Sequence, residues 1–442
     1  MLKKLTSGLK TSAAINSLAG MIAGAFRPLI SIITLPLLSN SIGPEMIGFW
    51  MSALALTAVF SCVNTGVSTA VVTAIGNMEA PENVVRNGAA IAFVCSAIAL
   101  TIGLSSILLL DYHSLFQIPD SINPPVVDAV IAIVFVTLAI GFPGQLGRFV
   151  AIGKLEGYKA QGIDMLALMV GPIALILAIY AGLDVVAFAA AFILLPVIVT
   201  ACLSAIYLAR GGMLRAPNHR YSQQKLKTMV LQAVPMAAHQ GLLAAAQHGD
   251  VLIVGILIGP VEAGLYGVGQ RLCTLANFFI TPINHAFWPE LTTLMARGDT
   301  RKLRQYFYIQ LTATMAFAVM FVVSMATLGN FVIRFWMGPT YLLGIDLLTG
   351  LATGIFAFTL MTTMETLLRA QERFGFLLRW TAIGVICATA IKALMAIQLG
   401  AAGVAWAGTI VMVLLVGIPY TVAVFRSEAF SEALSPDEPE SR

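Results

Sequence analysis

Residues 126–210 read VVDAVIAIVFVTLAIGFPGQLGRFVAIGKLEGYKAQGIDMLALMVGPIALILAIYAGLDVVAFAAAFILLPVIVTACLSAIYLAR. Three apolar runs, about 126–147, 162–182 and 185–209, follow one another with short breaks between them. A run of about 20 apolar residues crosses the hydrocarbon core as one helix, because a helix satisfies its own backbone groups where water is absent. The first break carries Arg148, Lys154 and Lys159; the second carries Asp184 and no cation. Basic residues collect on the cytoplasmic side. The stretch therefore crosses three times, with 148–159 inside.

The same pattern fills the chain. Of 442 residues, 59% are apolar and only 10% charged, with a mean hydropathy of +0.90. A soluble protein carries roughly 25% charged residues, so a soluble enzyme, a secreted disulfide scaffold and a nucleic-acid-binding domain are excluded. The net charge of +4 is no nucleic-acid footprint. The five cysteines, Cys62, Cys95, Cys202, Cys273 and Cys387, lie singly in apolar runs without metal-ligand spacing and read as small core residues. Lys3, Lys4 and Lys10 precede a long apolar stretch with no cleavage site of the A-x-A kind, so the first span reads as retained.

Apolar runs predict about twelve spans, near 14–38, 47–75, 87–110, 126–147, 162–182, 185–209, 229–258, 264–290, 306–328, 341–366, 375–398 and 402–425. Pro28, Pro36, Pro196, Pro235, Pro282 and Pro289 lie in or at the ends of these and would kink them. With both termini cytoplasmic, the inner segments hold 21 of the 25 Lys and Arg, while the outer loops hold Glu45, Asp111, Asp120, Asp184 and Glu262 with Arg334 alone as a cation. The longest connection divides the chain into an N-terminal six-helix bundle (1–210), a cytoplasmic linker (211–228), a C-terminal six-helix bundle (229–425) and an acidic tail (426–442). The predicted fold is all-α, a polytopic membrane protein of about twelve helices in two bundles around a central cavity.

The halves repeat at one matching place. Residues 42–50 read IGPEMIGFW and 258–266 read IGPVEAGLY. At an offset of 216, Ile42, Gly43, Pro44, Gly48 and Trp50 face Ile258, Gly259, Pro260, Gly264 and Tyr266. Each stretch ends an odd-numbered span and opens the next, which predicts a Gly-Pro turn at the surface with an aromatic anchor at the interface. Two copies in one orientation imply an axis along the membrane normal, the arrangement of transporters that rock two bundles about a midplane site.

QHGDVLIVGILIGPVEAGLYGVGQRLCT (247–274) resembles the seventh-to-eighth span hairpin of the polysaccharide flippases, the Wzx-type members of the multidrug/oligosaccharidyl-lipid/polysaccharide exporter superfamily. Asp250, Gly259, Gly264, Tyr266 and Arg271 match the pattern of that hairpin. PELTTLMARGDTRKLRQY (289–306) and LPLLSNSIGPEMIGFW (35–50) are similar to the inner loop that follows it and to the first hairpin. Length, span count and topology agree over the whole chain. One departure stands in SCVNTGVSTAVV (61–72), where Asn64 occupies the place of an acid carried by many members.

Charges at membrane depth cost about 2.5–3.5 kcal/mol on insertion scales and mark functional candidates. Arg27 lies near the middle of the first span and Arg271 about two turns into the eighth. The resemblance to flippases of the lipid-II branch implies cavity arginines on these two spans, and a diphosphate suits the planar donor fork of arginine. The alternatives are an arginine paired for packing at 27 and a snorkelling one at 271. Lys392, near the outer end of the eleventh span, is a third substrate-binding candidate, with snorkelling as its alternative. Asp250 would take up a proton or sodium, pair with Arg271, or cap the structure. His239 lies eleven residues earlier on a similar face and joins Asp250 as an ion-coupling candidate. His248 and His285 read as packing residues, Glu365 and Arg369 as a surface i,i+4 salt bridge, and Glu290 as a partner of the basic loop after it.

Direct ATP use is not indicated, since RFVAIGKL (148–155) lacks the first glycine and the hydroxyl residue of a phosphate loop. No cofactor is expected, and no nucleic acid. A flippase moving a polyprenyl-diphosphate-linked oligosaccharide across a bacterial inner membrane by alternating access, for O-antigen-type surface polysaccharide assembly, predicts a cationic cavity. Its partners would be the lipid-linked glycan, the bilayer, a coupling proton or sodium ion and other polysaccharide assembly proteins. A cation-coupled multidrug exporter of the same superfamily would favour carboxylates in the cavity. A membrane polymerase would need a large outer loop with acid/base groups, and here only His113 and Arg334 fall in the short outer loops. The chain reads as a transporter and not an enzyme.

Overall fold

The computed structural model describes the backbone of residues 2–77, 80–120, 122–214, 223–371, 373–427 and 430, and their side chains except at 2–29, 31, 232, 277–279, 281–286, 288–290, 292–293, 296, 370 and 374. Among the described residues every regular element is a helix. In order they are α1 (Leu2–Phe60), α2 (Cys62–Gly76), α3 (Pro81–Leu109), α4 (Tyr112–Leu115), α5 (Pro124–Gly144), α6 (Leu146–Gly153), α7 (Gly157–Tyr180), α8 (Val185–Ala189), α9 (Leu195–Arg210), α10 (Gln223–Leu257), α11 (Pro260–Ala296), α12 (Thr300–Trp336), α13 (Ile345–Ala370), α14 (Phe374–Met412) and α15 (Ile418–Phe425).

Two of the long helices are broken by glycine. The backbone leaves helical geometry at Gly43 (φ 76°, ψ 170°) in α1 and at Gly400 (φ 64°, ψ −154°) in α14. A Cβ is excluded from that region, so glycine is what permits each break. Nine stretches of described residues are long and apolar enough to cross a membrane, and two of them, Ile32–Gly76 and Gly375–Phe425, contain these breaks. Counted at the breaks, and with α11, the described residues hold twelve long helical stretches, which matches the number of apolar runs.

The internal repeat is present in the backbone. Gly43 and Gly259 both have positive φ (76° and 137°) and are followed by Pro44 and Pro260, where the next helical stretch starts. Gly182 and Gly400 form a second matched pair, at φ 67° and 64°. Wide turns at Ala190–Leu194 and Val413–Gly417 precede Pro196 and Pro419 in the same way. Proline leaves a carbonyl one turn back without its donor and crowds it. A widened turn at that carbonyl accommodates the ring.

The aromatic anchors expected at these turns are elsewhere. Trp50 and Tyr266 are among the largest fully buried side chains. Trp50 packs on Phe192, ring centroids 5.9 Å apart. Burial of the large ring inside the bundle, where it gains more contact than at the interface, overrides the anchoring role.

Two compact units divide at 264/265, one helix beyond the sequence boundary at 211–228. In Met1–Gly264, α10 packs along α2 and α1, α3 along α5, and α7 along α1 and α9. Val67, Val71, Val84, Phe149, Val150 and Met229 form part of its core. In Leu265–Arg442, α12 packs along α13 and α13 along α14. Each unit leaves large apolar side chains such as Phe93, Leu104, Phe331 and Ile397 exposed, as helices facing lipid require.

Tyr420 is a polar tie in the second unit. Its hydroxyl donates to the Leu377 carbonyl at 3.0 Å and stands 2.7 Å from the Thr381 hydroxyl, which donates to it. Both side chains are fully buried. Tyr420→Phe is expected to cost about 1 kcal/mol, read as a lower unfolding midpoint in detergent; an unchanged midpoint would refute the tie.

Candidate functional site

Arg271 lies on α11, two residues after Gly269, whose Cα side packs so tightly on Leu343 and Leu351 that a Cβ there would lie 2.6 and 2.7 Å from their Cδ1 atoms. Two helical positions turn the chain by about 200°, so Arg271 faces away from that contact. It is half-buried, between the buried Val268, Leu272 and Cys273. Among the described residues its guanidinium meets neither a carboxylate nor a hydrogen-bond acceptor; only its backbone carbonyl is engaged, by the Thr274 hydroxyl at 2.9 Å. Among the described residues, then, no counter-ion meets this half-buried cation.

Arg27 lies in α1, its side chain outside the described residues, as are the side chains of His285 and Glu290. Asp250 is buried near the C-terminal end of α10, and His239 is half-buried on the same helix. A Cβ on the adjacent Gly249 would meet open space. Asn64 is half-buried, and its Oδ1 has no hydrogen-bond partner among the described residues.

Lys392 does not snorkel along a lipid face. It is 4% exposed, and its stem crosses α14 at Gly408, where a Cβ would lie 2.2 Å from Cε and 2.9 Å from Nζ. The missing side chain at 408 makes room for the lysine. Glu365 and Arg369 form the expected pair, Oε1 2.6 Å from Nη2, but the carboxylate is buried and the pair is not a surface bridge. Of the cysteines, Cys273 is buried, Cys202 exposed and the others half-buried.

Two groupings escaped the sequence reading. Arg148 pairs with Asp164 and donates to Gln145 Oε1 at 2.6 Å; an acid inside the apolar run 162–182 was the available signal. Glu156 accepts from the Tyr207 hydroxyl at 2.7 Å and meets Lys159 Nζ at 3.0 Å. Burial works to raise this carboxyl, but Tyr207 and Lys159 outweigh it and hold it below the usual range. A depressed carboxyl stabilises the fold above its unfolded value and loses that contribution as pH falls through the folded one. Acidification is therefore expected to lower the melting temperature more in the wild type than in Tyr207→Phe; equal slopes would overturn this.

No cluster of three metal-ligating side chains occurs among the described residues.

The same helical fold occurs in solved structures of membrane transporters. The lipid II flippase MurJ, in an inward closed conformation, superposes with a TM-score of 0.71 at 12% identity over 95% of this chain and 89% of its own. An inward-facing multidrug resistance MATE family transporter of the MOP superfamily gives 0.68 at 15% identity, covering 94% of this chain and 100% of that one. A mutant of the MATE transporter VcmN from Vibrio cholerae gives 0.59 at 13% identity, over 96% and 100%. No match was found among curated protein sequences. The polysaccharide biosynthesis protein family matches residues 13–295, and the chain belongs to that family.

Proposed function

We propose that this protein is a flippase that carries a polyprenyl-diphosphate-linked oligosaccharide across a bacterial inner membrane by alternating access. The observation that carries the reading is Arg271, a half-buried cation without a protein counter-ion among the described residues, in a chain of the polysaccharide biosynthesis protein family. A cation placed so is costly until an anion arrives. A diphosphate supplies that anion and fits the planar donor fork of arginine in two-point contact. Arg27 and Lys392 are proposed as further contacts to the phosphates or sugars, and Asp250 with His239 as the coupling pair for a proton or sodium ion. The bundles 1–210 and 229–425 are the proposed moving bodies, with both termini in the cytoplasm. The multidrug exporter reading is weakened by the same arginine, which repels organic cations.

The test is translocation of a fluorescent polyprenyl-diphosphate oligosaccharide in sealed vesicles, with and without an imposed proton or sodium gradient. Gradient-dependent movement supports the reading. Export of small organic cations without movement of the lipid-linked glycan would replace it with the drug-exporter reading.

A further inference from the structure

The connection between α6 and α7 closes on a residue that its backbone does not favour. The Ala151 and Ile152 carbonyls accept the Glu156 and Leu155 N–H groups at 2.8 and 2.9 Å, and Leu155 takes the left-handed conformation at φ 62°. The same pair of bonds closes helical segments at Gly182, Gly212, Gly298 and Gln117. Glycine is the usual residue there, because in left-handed backbone a Cβ crowds the following carbonyl. Gln117 departs from the rule and uses its side chain: Nε2 donates to the Ile256 carbonyl at 2.9 Å. That carbonyl lies four residues before Pro260, which has no N–H to offer it. Leu155 departs from the rule too, but it is 61% exposed. Whatever offsets the strain of a leucine at this position lies outside the chain.

Its surroundings are cationic and apolar together. Lys154 is half-buried, and among the described residues its Nζ meets no carboxylate; its partner is Met213 Sδ at 3.7 Å. Met213 folds over Gly211, beside the exposed Arg210 in the last turn of α9. The carboxylate of this connection, Glu156, is committed to the Tyr207 hydroxyl and Lys159. Around the cations Ile152, Tyr158 and Leu214 are exposed. The cluster sits where α6 and α9 end, at the depth where phosphate headgroups meet acyl chains.

We propose that this surface binds an anionic phospholipid of the surrounding bilayer, with the phosphodiester between Lys154 and Arg210 and the upper part of an acyl chain against Leu155. An anionic headgroup answers two cations that meet no carboxylate among the described residues. A zwitterionic headgroup brings a cation of its own, which the two would repel. Leucine gains by burying its side chain in the acyl boundary, and that burial offsets the left-handed backbone. The site lies within the unit Met1–Gly264 and does not depend on what the protein carries.

The test titrates phosphatidylglycerol or phosphatidylcholine of the same acyl chains into the full-length protein in neutral detergent and reads the melting midpoint. Phosphatidylglycerol is expected to raise the midpoint by a few degrees more than phosphatidylcholine, as a ligand of the folded state does. Leu155→Gly is expected to melt higher than the wild type before lipid is added, since glycine enters the left-handed region freely, yet to gain less from phosphatidylglycerol. A purely structural leucine would not move the two readings in opposite directions. Lys154→Gln with Arg210→Gln, which leaves Glu156, Lys159 and Tyr207 in place, is expected to weaken the apparent phosphatidylglycerol affinity about tenfold or more, the scale of two cations at an anionic surface. Equal gains from the two lipids in the wild type would overturn the site. So would a Leu155→Gly protein that melts no higher in detergent, or one that keeps the full phosphatidylglycerol gain. Glycerol phosphate that matches phosphatidylglycerol would assign the cations to free phosphate and overturn the lipid site as well.

Discussion

Arg271→Ala is expected to cut translocation of a lipid-linked diphosphate glycan by about ten- to hundredfold, with the protein still folded and present in the membrane. The size follows from what is removed. Hydrogen bonds to charged groups contribute about 1.5–3 kcal/mol each, and 1.4 kcal/mol is a factor of about ten. Stability should not suffer, because among the described residues the guanidinium holds no protein group in place. It should rise, since a half-buried cation is lost from the membrane interior. Arg271→Lys keeps the charge but not the planar fork, so it is expected to fall between the two. A vesicle assay beside a thermal melt reads both quantities. Full activity in Arg271→Ala would remove Arg271 from the site, and a large loss of stability would return it to a packing role.

The second large effect is expected at Gly48. Alanine ordinarily gains about 0.8–1.0 kcal/mol over glycine in a helix interior. Here its Cβ would lie 1.5 Å from the Pro260 carbonyl oxygen, which is backbone and cannot rotate aside. Overpacking of this kind costs about 1–3 kcal/mol, so the clash wins and the two turns separate. Gly48→Ala is expected to melt lower and to lose translocation. Gly162→Ala is the control within the same unit, since a Cβ there meets open space on α7 and should be neutral or stabilising. Equal behaviour of the two variants would show that the turns do not depend on their close approach.

Much of the fold was legible because lipid imposes one rule on every span. A backbone that cannot bond to water must close its hydrogen bonds within a helix, and apolar length alone then counts the passes. The repeat was legible because glycine and proline are required by backbone geometry, which recurs at Gly43–Pro44 and Gly259–Pro260 whatever surrounds them. Side-chain surroundings were less legible. Trp50 and Tyr266 read as interfacial anchors but are buried, Lys392 read as snorkelling but lies over Gly408, and Glu365 read as a surface partner but is enclosed. Each misreading concerns which neighbour covers a given helix face, and all faces in a membrane chain are apolar, so no polar stripe marks the outward one.

From the sequence alone came the all-helical membrane fold, the number of passes, the repeat and Arg271 as a candidate, because bilayer thickness, glycine geometry and the cost of a charge in lipid act on each segment separately. The tertiary structure alone decided that Arg271 lacks a counter-ion among the described residues, that α10 packs along α2, and that the two Gly-Pro turns meet. Those facts depend on which of several apolar helices come together, and packing chooses among them by shape, through single missing Cβ atoms at Gly48, Gly66 and Gly241, over distances that no local pattern records.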